Sequence, residues 1–248
     1  MDKRDVIARL TQDRPEFHFV TEEGVKRAER AGLTLRSGNH NFAVTPGVLS
    51  WIADHLSREM ITLETGAGYT TVIFAALGKH HYCYTLSQLE VDKIRTYLQK
   101  IGVSNDKLTA VVGPTDQTLP SLQTQLDFAY IDGCHGYPFP ALDWHYIDKH
   151  LKVGGTIGMD NAELRPVREH CEFLEENGTY RLSGVVSESA FARFYTKVTD
   201  QACEWIDQPY SLAKRDPCDW RVLTRLKRHA SRWIKPHLYL VGCGTVGN

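Results

Sequence analysis

The sequence predicts an α/β fold: a seven-stranded, mostly parallel sheet with helices on both faces and a carboxyl-terminal antiparallel hairpin. Strand-like and helix-like runs alternate through the middle of the chain, a pattern typical of repeated β-α units. A glycine turn, Gly66-Ala67-Gly68, joins the first of these strands to the next helix. Two strand-like runs at 180–186 and 191–198 are joined by a short polar turn, which indicates an antiparallel pair.

The individual elements follow from helix caps, breakers and apolar periodicity. Thr45 is a good helix cap and Pro46 suits the first helical position, so a helix begins there. Ser87 and Glu90 form an S-x-x-E capping box for a second helix. Further strands are predicted at 60–64, 81–85, 108–112, 126–132 and 155–160, and further helices at 70–77, 140–151 and 164–174.

Composition and charge argue against a secreted or membrane-spanning protein and against one that attracts nucleic acid or lipid by its overall charge. The 248 residues include 29 Lys and Arg against 30 Asp and Glu, so there is no global field to recruit nucleic acid or anionic lipid. The amino terminus is charged and has no apolar signal-peptide region, and the apolar run at 72–77 is too short to span a bilayer. Six cysteines without a CxxC pair favour reduced thiols. We therefore expect a cytoplasmic protein.

Three segments are predicted: a charged, mostly helical segment or lid at 1–44, the main domain at 45–200, and a basic extension at 201–248. Within the extension, Lys214 to Lys235 holds eight basic residues against two aspartates. Apolar residues recur there at helical spacing, which favours a helix with its basic face in water. Contact of this stretch with nucleic acid, a membrane or a partner subunit is the alternative. The oligomeric state stays open, a homodimer included.

The glycine turn lies where a ligand can approach the backbone at the start of a helix. A dinucleotide fold has G-x-G-x-x-G at this place, and here Thr71 stands at the third glycine position. Glu90 is at the distance expected of a ribose-binding acid, but the Ser87 capping box accounts for it better. An NAD site is therefore disfavoured.

Three stretches resemble a known family: Glu64-Thr-Gly-Ala-Gly68, Val111 to Pro120 and Leu151 to Asn161. The chain from about residue 45 to 198 resembles the class I S-adenosylmethionine-dependent methyltransferases, which have a Rossmann-like fold. The second and third stretches look like the metal-dependent O-methyltransferases that act on catechols and caffeoyl-CoA. The motif Asp132-Gly-Cys-His135 is also similar to that of bacterial small-molecule methyltransferases.

The resemblance implies where S-adenosylmethionine would bind. Glu64, Gly66, Ala67 and Gly68 match the first motif, whose acid helps to hold the methionine part of the cofactor. Thr115 and Asp116 match positions along the adenine, and Asp132 is also expected at the cofactor. For Asp116, a loop or helix-capping role is the alternative.

One position departs from the family pattern. The family usually has an acid at the end of the second strand that grips both ribose hydroxyls, whereas Thr85 stands there in this sequence. Loss of a charge-assisted acceptor is expected to weaken cofactor binding by roughly 1 to 2 kcal/mol. Weak affinity, or help from Ser87, is therefore expected.

Polar residues follow two predicted neighbouring strands. Asp132 ends one, and Asp160 and Asn161 end the next, so a parallel sheet would bring them together at its carboxyl edge. Such oxygen ligands suit Mg²⁺ better than zinc, and the resemblance implies that these three residues are metal ligands. The alternative is that Asp132-Gly133 and Asp160-Asn161 simply form turns at the strand ends, as such pairs commonly do.

His135 lies three residues after Asp132, where the catechol-type enzymes have a lysine that takes the proton from the substrate hydroxyl. An imidazole can act as that general base, and a plain surface histidine is the alternative. With Asp132 and His135 as catalytic residues, the expected activity is O-methylation of a hydroxylated small molecule. A metal-independent methyltransferase and a nonenzymatic module that binds a partner through its basic tail are the alternatives.

Overall fold

The computed structural model describes residues 2–30, 32, 34–188, 191–201, 204 and 206–212. The chain divides into two compact units, residues 1–204 and 205–248. The second unit is described only at 206–212, where a short helix α9 runs from Pro209 to Leu212. The basic stretch Lys214 to Lys235 lies outside the described residues, so the prediction made for it stays a prediction.

The first unit alternates helices and strands along most of its length. Its helices are α1 (Lys3–Asp13), α2 (Glu22–Arg30), α3 (Pro46–His55), α4 (Tyr69–Leu77), α5 (Gln88–Lys100), α6 (Thr115–Thr118), α7 (Phe139–Asp148) and α8 (Arg165–Glu176). Its strands are β1 (His18–Val20), β2 (Gly38–His40), β3 (Ile61–Thr65), β4 (His80–Thr85), β5 (Leu108–Val112), β6 (Leu126–Ile131), β7 (Leu151–Met159), β8 (Tyr180–Ser187) and β9 (Phe191–Lys197).

Seven strands form one sheet in the order β5-β4-β3-β6-β7-β9-β8. The first five are parallel, β9 pairs antiparallel with β7, and β8 pairs antiparallel with β9. The predicted fold class is therefore confirmed, including the closing hairpin. The strand order reverses direction between β3 and β6, and open α/β sheets bind their ligands beside such a reversal.

Apolar side chains fill both faces of the sheet. On β6, Phe128 and Tyr130 belong to one buried cluster, whereas Ala129 and Ile131 belong to another. This alternation follows from the two-residue period of a strand. Helices α1, α3, α4 and α5 contribute to the first cluster, and α7 and α8 contribute to the second.

The amino-terminal segment contains a small antiparallel sheet that the sequence analysis did not predict. In it β1 pairs with β2, with His18 opposite His40 and Val20 opposite Gly38. Each strand has only three residues, which is too short to show alternation. The proposed boundaries at residues 44 and 200 stay predictions.

The predicted start of α3 is confirmed, since the Thr45 side chain accepts a hydrogen bond from the Val48 amide at 3.4 Å. No helix among the described residues is both long and apolar enough to cross a membrane.

Candidate active site

A cavity of about 750 Å³ opens at the carboxyl edge of the parallel strands. Its walls come from six places in the first unit. The lining residues include His18 and 42–44 of the amino-terminal segment, Thr45 before α3, 66–70 after β3, 84–87 and Glu90 at and after the end of β4, 113–115 after β5, 132–135 and Phe139 after β6, and Asp160 and Asn161 after β7.

Backbone hydrogen bonds continue the sheet one step beyond the strand ends. The Gly66 amide donates to the Tyr84 carbonyl at 2.8 Å, and the Gly113 amide donates to the Thr85 carbonyl at 2.9 Å. On the other side of β3, the Asp132 amide donates to Thr65 and the Asp160 amide to Ile131, both at 3.0 Å. We call these four bonds the rim ladder. It fixes the relative positions of the residues that begin each loop.

The glycine turn follows the rim directly. Gly66 has φ +92°, and a Cβ added to it would overlap the Asp132 carbonyl oxygen, so only glycine fits there. Thr71 stands at the third glycine position, and its hydroxyl accepts a hydrogen bond from the Gly68 amide at 2.9 Å. The threonine thereby satisfies an amide at the start of α4.

Glu64 lies beneath the glycine turn and does not line the cavity. Its carboxylate is fully buried and accepts hydrogen bonds from the hydroxyls of Thr70, at 2.6 Å, and Thr71. The ring of His81 lies 3.1 Å from the same carboxylate. The two threonine contacts hold the start of α4 and the histidine contact joins Glu64 to β4, and its predicted contact with the cofactor stays a prediction.

At the end of β4 the structure corrects part of the capping-box prediction. The Ser87 hydroxyl accepts a hydrogen bond from the Glu90 amide at 3.2 Å, as expected of a helix cap. The Glu90 carboxylate does not complete the box. It accepts a hydrogen bond from the Thr85 hydroxyl at 3.1 Å and lies 3.2 Å from His18 Nδ1 of the amino-terminal segment.

The two residues predicted along the adenine are placed differently. Thr115 lines the cavity at the start of α6, whereas Asp116 is exposed and does not line it. Thr85 also lines the cavity, as do Ala67 and Gly68. The ligand contacts of all these residues stay predictions.

The predicted acids meet at the ends of β6 and β7. Asp132, His135 and Asp160 offer ligand atoms that all lie within 4.8 Å of one another. Asp160 accepts a hydrogen bond from the Tyr130 hydroxyl at 2.7 Å, which orients its carboxylate. Burial is the main cause that raises the pKa of both carboxyls, and for Asp132 the charge of Asp160 adds to it.

His135 Nε2 lies 3.6 Å from Asp132 and has no hydrogen-bond partner among the described residues. Burial lowers the pKa of the His135 ring, so the neutral form dominates at neutral pH. Asn161 follows in the left-handed conformation, with φ +52°, and its amide donates to Glu163 at 3.2 Å. The sheet thus brings Asp132, His135 and Asp160 together, with Asn161 beside them.

Sequence reasoning missed several cavity residues. His18 and Phe42 come from the amino-terminal segment, where no motif marks them. Phe139 lines the cavity, whereas Tyr137, two residues before it, is 83% exposed and does not. The signal for Glu90 was present in its spacing from the glycine turn, but the capping pattern explained that spacing too.

The charge of the cavity is one-sided. Among the described lining residues, Glu90, Asp132 and Asp160 are acidic, and none is a lysine or arginine. The cavity therefore favours neutral or positively charged ligands.

Comparison with known proteins places this site in context. Residues 63–162 match the model of a methyltransferase domain family, and this range includes the glycine turn and the three acids. No curated protein matches the sequence.

Several solved structures share the fold. The O-methyltransferase TomG from Streptomyces achromogenes, in complex with S-adenosylmethionine, is 16% identical over 71% of this chain and 88% of its own, with a TM-score of 0.53. The cofactor-bound Rv0187 from MTB is 19% identical over the same shares, with a TM-score of 0.55. An rRNA methylase from Streptococcus thermophilus is 16% identical over 64% of this chain and 99% of its own, with a TM-score of 0.50.

Proposed function

We propose that this chain, a class I S-adenosylmethionine-dependent methyltransferase, methylates a hydroxyl group of a small molecule. The observation that carries the proposal is the position of Asp132, His135 and Asp160 in the same cavity as the glycine turn. A hydroxyl must lose its proton to become a good nucleophile, and this cluster offers a base beside the expected place of the methyl group.

The protein's own residues would supply proximity and proton transfer. S-adenosylmethionine would supply a methyl group on a positively charged sulfur: the acceptor oxygen would bond to the methyl carbon as its bond to sulfur breaks, with S-adenosylhomocysteine as the leaving group. His135 is neutral and its Nε2 has no other partner among the described residues, so it can take the proton of the acceptor hydroxyl. Asp132, 3.6 Å away, then stabilises the imidazolium.

The acids also fit a divalent cation. Two carboxyls whose pKa values are raised by burial lie side by side, and a cation between them would offset both the burial and the repulsion. Asp132 and Asp160, with Asn161 beside them, would hold Mg²⁺. A bound cation lowers the pKa of a hydroxyl that it contacts.

A small acceptor is favoured by the charge of the cavity. Nucleic acid is bound largely through phosphate contacts from lysine and arginine. The described cavity residues include neither, and three of them are acidic. This contrast supports a small, non-anionic acceptor over an rRNA. The alternative that the chain acts through its basic tail concerns residues 214–235, which lie outside the described part of the chain.

Transfer of a radiolabelled methyl group from S-adenosylmethionine to a panel of catechols, phenols, amines and thiols tests the proposal. Catechols or phenols are expected to accept the label, and EDTA is expected to reduce the rate in a way that Mg²⁺ restores. Activity that survives EDTA would support the metal-independent alternative.

Three variants sharpen this assay. Asp160→Asn and His135→Ala should each lower kcat at least tenfold while S-adenosylhomocysteine still binds. Glu176→Gln, on the exposed end of α8, serves as the matched control. Unchanged turnover in both site variants would disprove the proposed mechanism.

A further inference from the structure

Glu90 is a carboxylate at the cavity wall that the proposed chemistry does not use. It projects from the first turn of α5, and its side chain is 17% exposed. Thr85 donates to one of its oxygens at 3.1 Å, and His18 Nδ1 lies 3.2 Å from the other. These contacts come from β4 and from β1, so the carboxylate is held from two sides.

The sheet order separates Glu90 from the other acids of the cavity. The glycine turn follows β3, the central strand of the site, and Asp132 and Asp160 follow β6 and β7 on one side of it. Strands β4 and β5 lie on the other side, and Glu90 is the single carboxylate on that side among the described lining residues.

A nucleoside ligand must pass this carboxylate. The glycine turn after β3 and Thr115 after β5 both line the cavity, and the end of β4 lies between them. A ligand that reaches from one to the other therefore places its middle portion beside Thr85 and Glu90. In an adenosyl cofactor that middle portion is the ribose, which carries two neighbouring hydroxyls.

A carboxylate has about four lone-pair sites for hydrogen bonds. Thr85 takes one and His18 takes at most one, so each oxygen of Glu90 keeps room for another donor. Two hydroxyls on adjacent carbons can each donate to one oxygen of such a group. The contacts with Thr85 and His18 thus orient the Glu90 carboxylate and leave both of its oxygens able to accept further hydrogen bonds.

We propose that Glu90 binds the ribose hydroxyls of the adenosyl cofactor, with Thr85 and His18 as the residues that position it. The inference rests on the proposed function, because it takes S-adenosylmethionine as the ligand. It also accounts for a threonine at the end of β4, since the acid reaches the same place from the following helix.

Calorimetric titration with two probes tests this assignment: S-adenosylhomocysteine and its 2′-deoxyribose analogue. The wild-type protein should bind S-adenosylhomocysteine about ten times more tightly than the analogue. Glu90→Gln should weaken binding of S-adenosylhomocysteine about 10- to 100-fold, the range of a charge-assisted hydrogen bond. In that variant the preference for the full ribose should fall below threefold.

Asp92→Asn is the matched control, because Asp92 is exposed on the same helix, two residues away. It should leave both affinities unchanged. Thermal unfolding of Glu90→Gln establishes that it is folded, and Glu90→Ala replaces it if it is not.

The outcomes separate this inference from the proposed function. If Glu90→Gln keeps the wild-type preference for the full ribose, Glu90 does not bind the ribose and the assignment is wrong, while the methyltransferase function stands. If the wild-type protein does not bind S-adenosylhomocysteine at all, the proposed function is overturned and the assignment with it.

Discussion

His170 of α8 is enclosed by aromatic rings. Its ring centroid lies 5.0 Å from that of Trp144 and 5.5 Å from that of Phe173, and the residue is 6% exposed. Burial lowers the pKa of His170 to about 4. The folded state therefore favours the neutral ring, whereas the unfolded chain binds a proton near the ordinary value of about 6.5.

We expect this residue to make the protein acid-sensitive. Well above pH 6.5 the His170 ring is neutral in both states, so it does not change the free energy of unfolding. As the pH falls from 6.5 towards 4, the unfolded state binds a proton at His170 that the folded state does not bind, so the free energy of unfolding decreases. Between pH 7.5 and 4.5, the wild type should lose about 2–3 kcal/mol more free energy of unfolding than His170→Phe. Urea unfolding at the two pH values measures the difference.

His145→Gln, a change at an exposed histidine, is the control. Its free energy of unfolding should change with pH as that of the wild type does. Asp143 works in the opposite direction, since burial raises its pKa to about 6 and so favours the folded state as the pH falls. An equal loss in the wild type and His170→Phe would show that His170 is not the acid-sensitive group.

At the residue scale, the sequence predicts the position of a site residue best where the geometry of the sheet backbone determines that position. Asp132 and Asp160 could be placed together because the parallel strands that carry them end at the same edge. The sequence assigns Glu90 to a capping box because it lies three residues after Ser87, although it also lies at the distance of a ribose-binding acid from the glycine turn. The contacts of its carboxylate with the Thr85 hydroxyl and with the His18 ring, far away in the sequence, show which way it turns.

The small sheet of β1 and β2 depends on ties to the helices beside the cavity. The Asn41 amide donates to the Tyr69 hydroxyl of α4 at 2.6 Å, and Lys93 of α5 donates to Asn39 at 2.7 Å. Two three-residue strands are marginally stable by themselves. These side-chain contacts, with the His18–Glu90 pair, therefore hold the element in place.

Tyr69→Phe should loosen this element and leave the main sheet intact. The change leaves the half-buried Asn41 amide without its acceptor, a loss of about 1–2 kcal/mol. Amides in His18–Val20 and Gly38–His40 should then exchange about 5- to 30-fold faster. Hydrogen exchange read by mass spectrometry measures the effect.

Tyr180→Phe gives a control, because its hydroxyl bonds Asp148 in another part of the first unit. It should leave the exchange of β1 and β2 unchanged. Faster exchange in β3 as well would mean that Tyr69 stabilises the whole unit and not this element.

Elements with local signals were predictable. The Thr45 cap, the glycine turn and the alternation of strands and helices all specify structure within a few residues. Strands β1 and β2 were not predicted, because three residues carry no measurable periodicity and their pairing joins segments about 20 residues apart.

The whole molecule is nearly neutral, with a formal charge of −1, yet its described cavity residues include three acids and no lysine or arginine. Charge is therefore distributed unevenly between the surface and the site. S-adenosylmethionine carries a positive sulfur that S-adenosylhomocysteine lacks, so the two ligands should sense this field differently.

Salt should separate the two ligands. Raising NaCl from 50 to 500 mM at pH 8 should weaken binding of S-adenosylmethionine about threefold more than binding of S-adenosylhomocysteine, because the added ions screen the acids. Calorimetry gives both affinities. Asp160→Asn should reduce the difference and Glu176→Gln should not. Equal salt dependence of the two ligands would show that the cavity acids exert no net field on the sulfur.

The rim ladder allows the loop sequences around the cavity to change while the backbone at the edge of the sheet keeps its positions. Four main-chain bonds set the spacing of the glycine turn, Asp132 and Asp160, and apart from the need for glycine at residue 66 they are made by backbone atoms and not by the side chains of the loops. Substitutions at Phe42 or Phe139 can therefore change the wall of the cavity while the glycine turn, Asp132 and Asp160 keep their places. Mutation of the wall alone would then change which molecules fit the cavity and leave its backbone frame as it is.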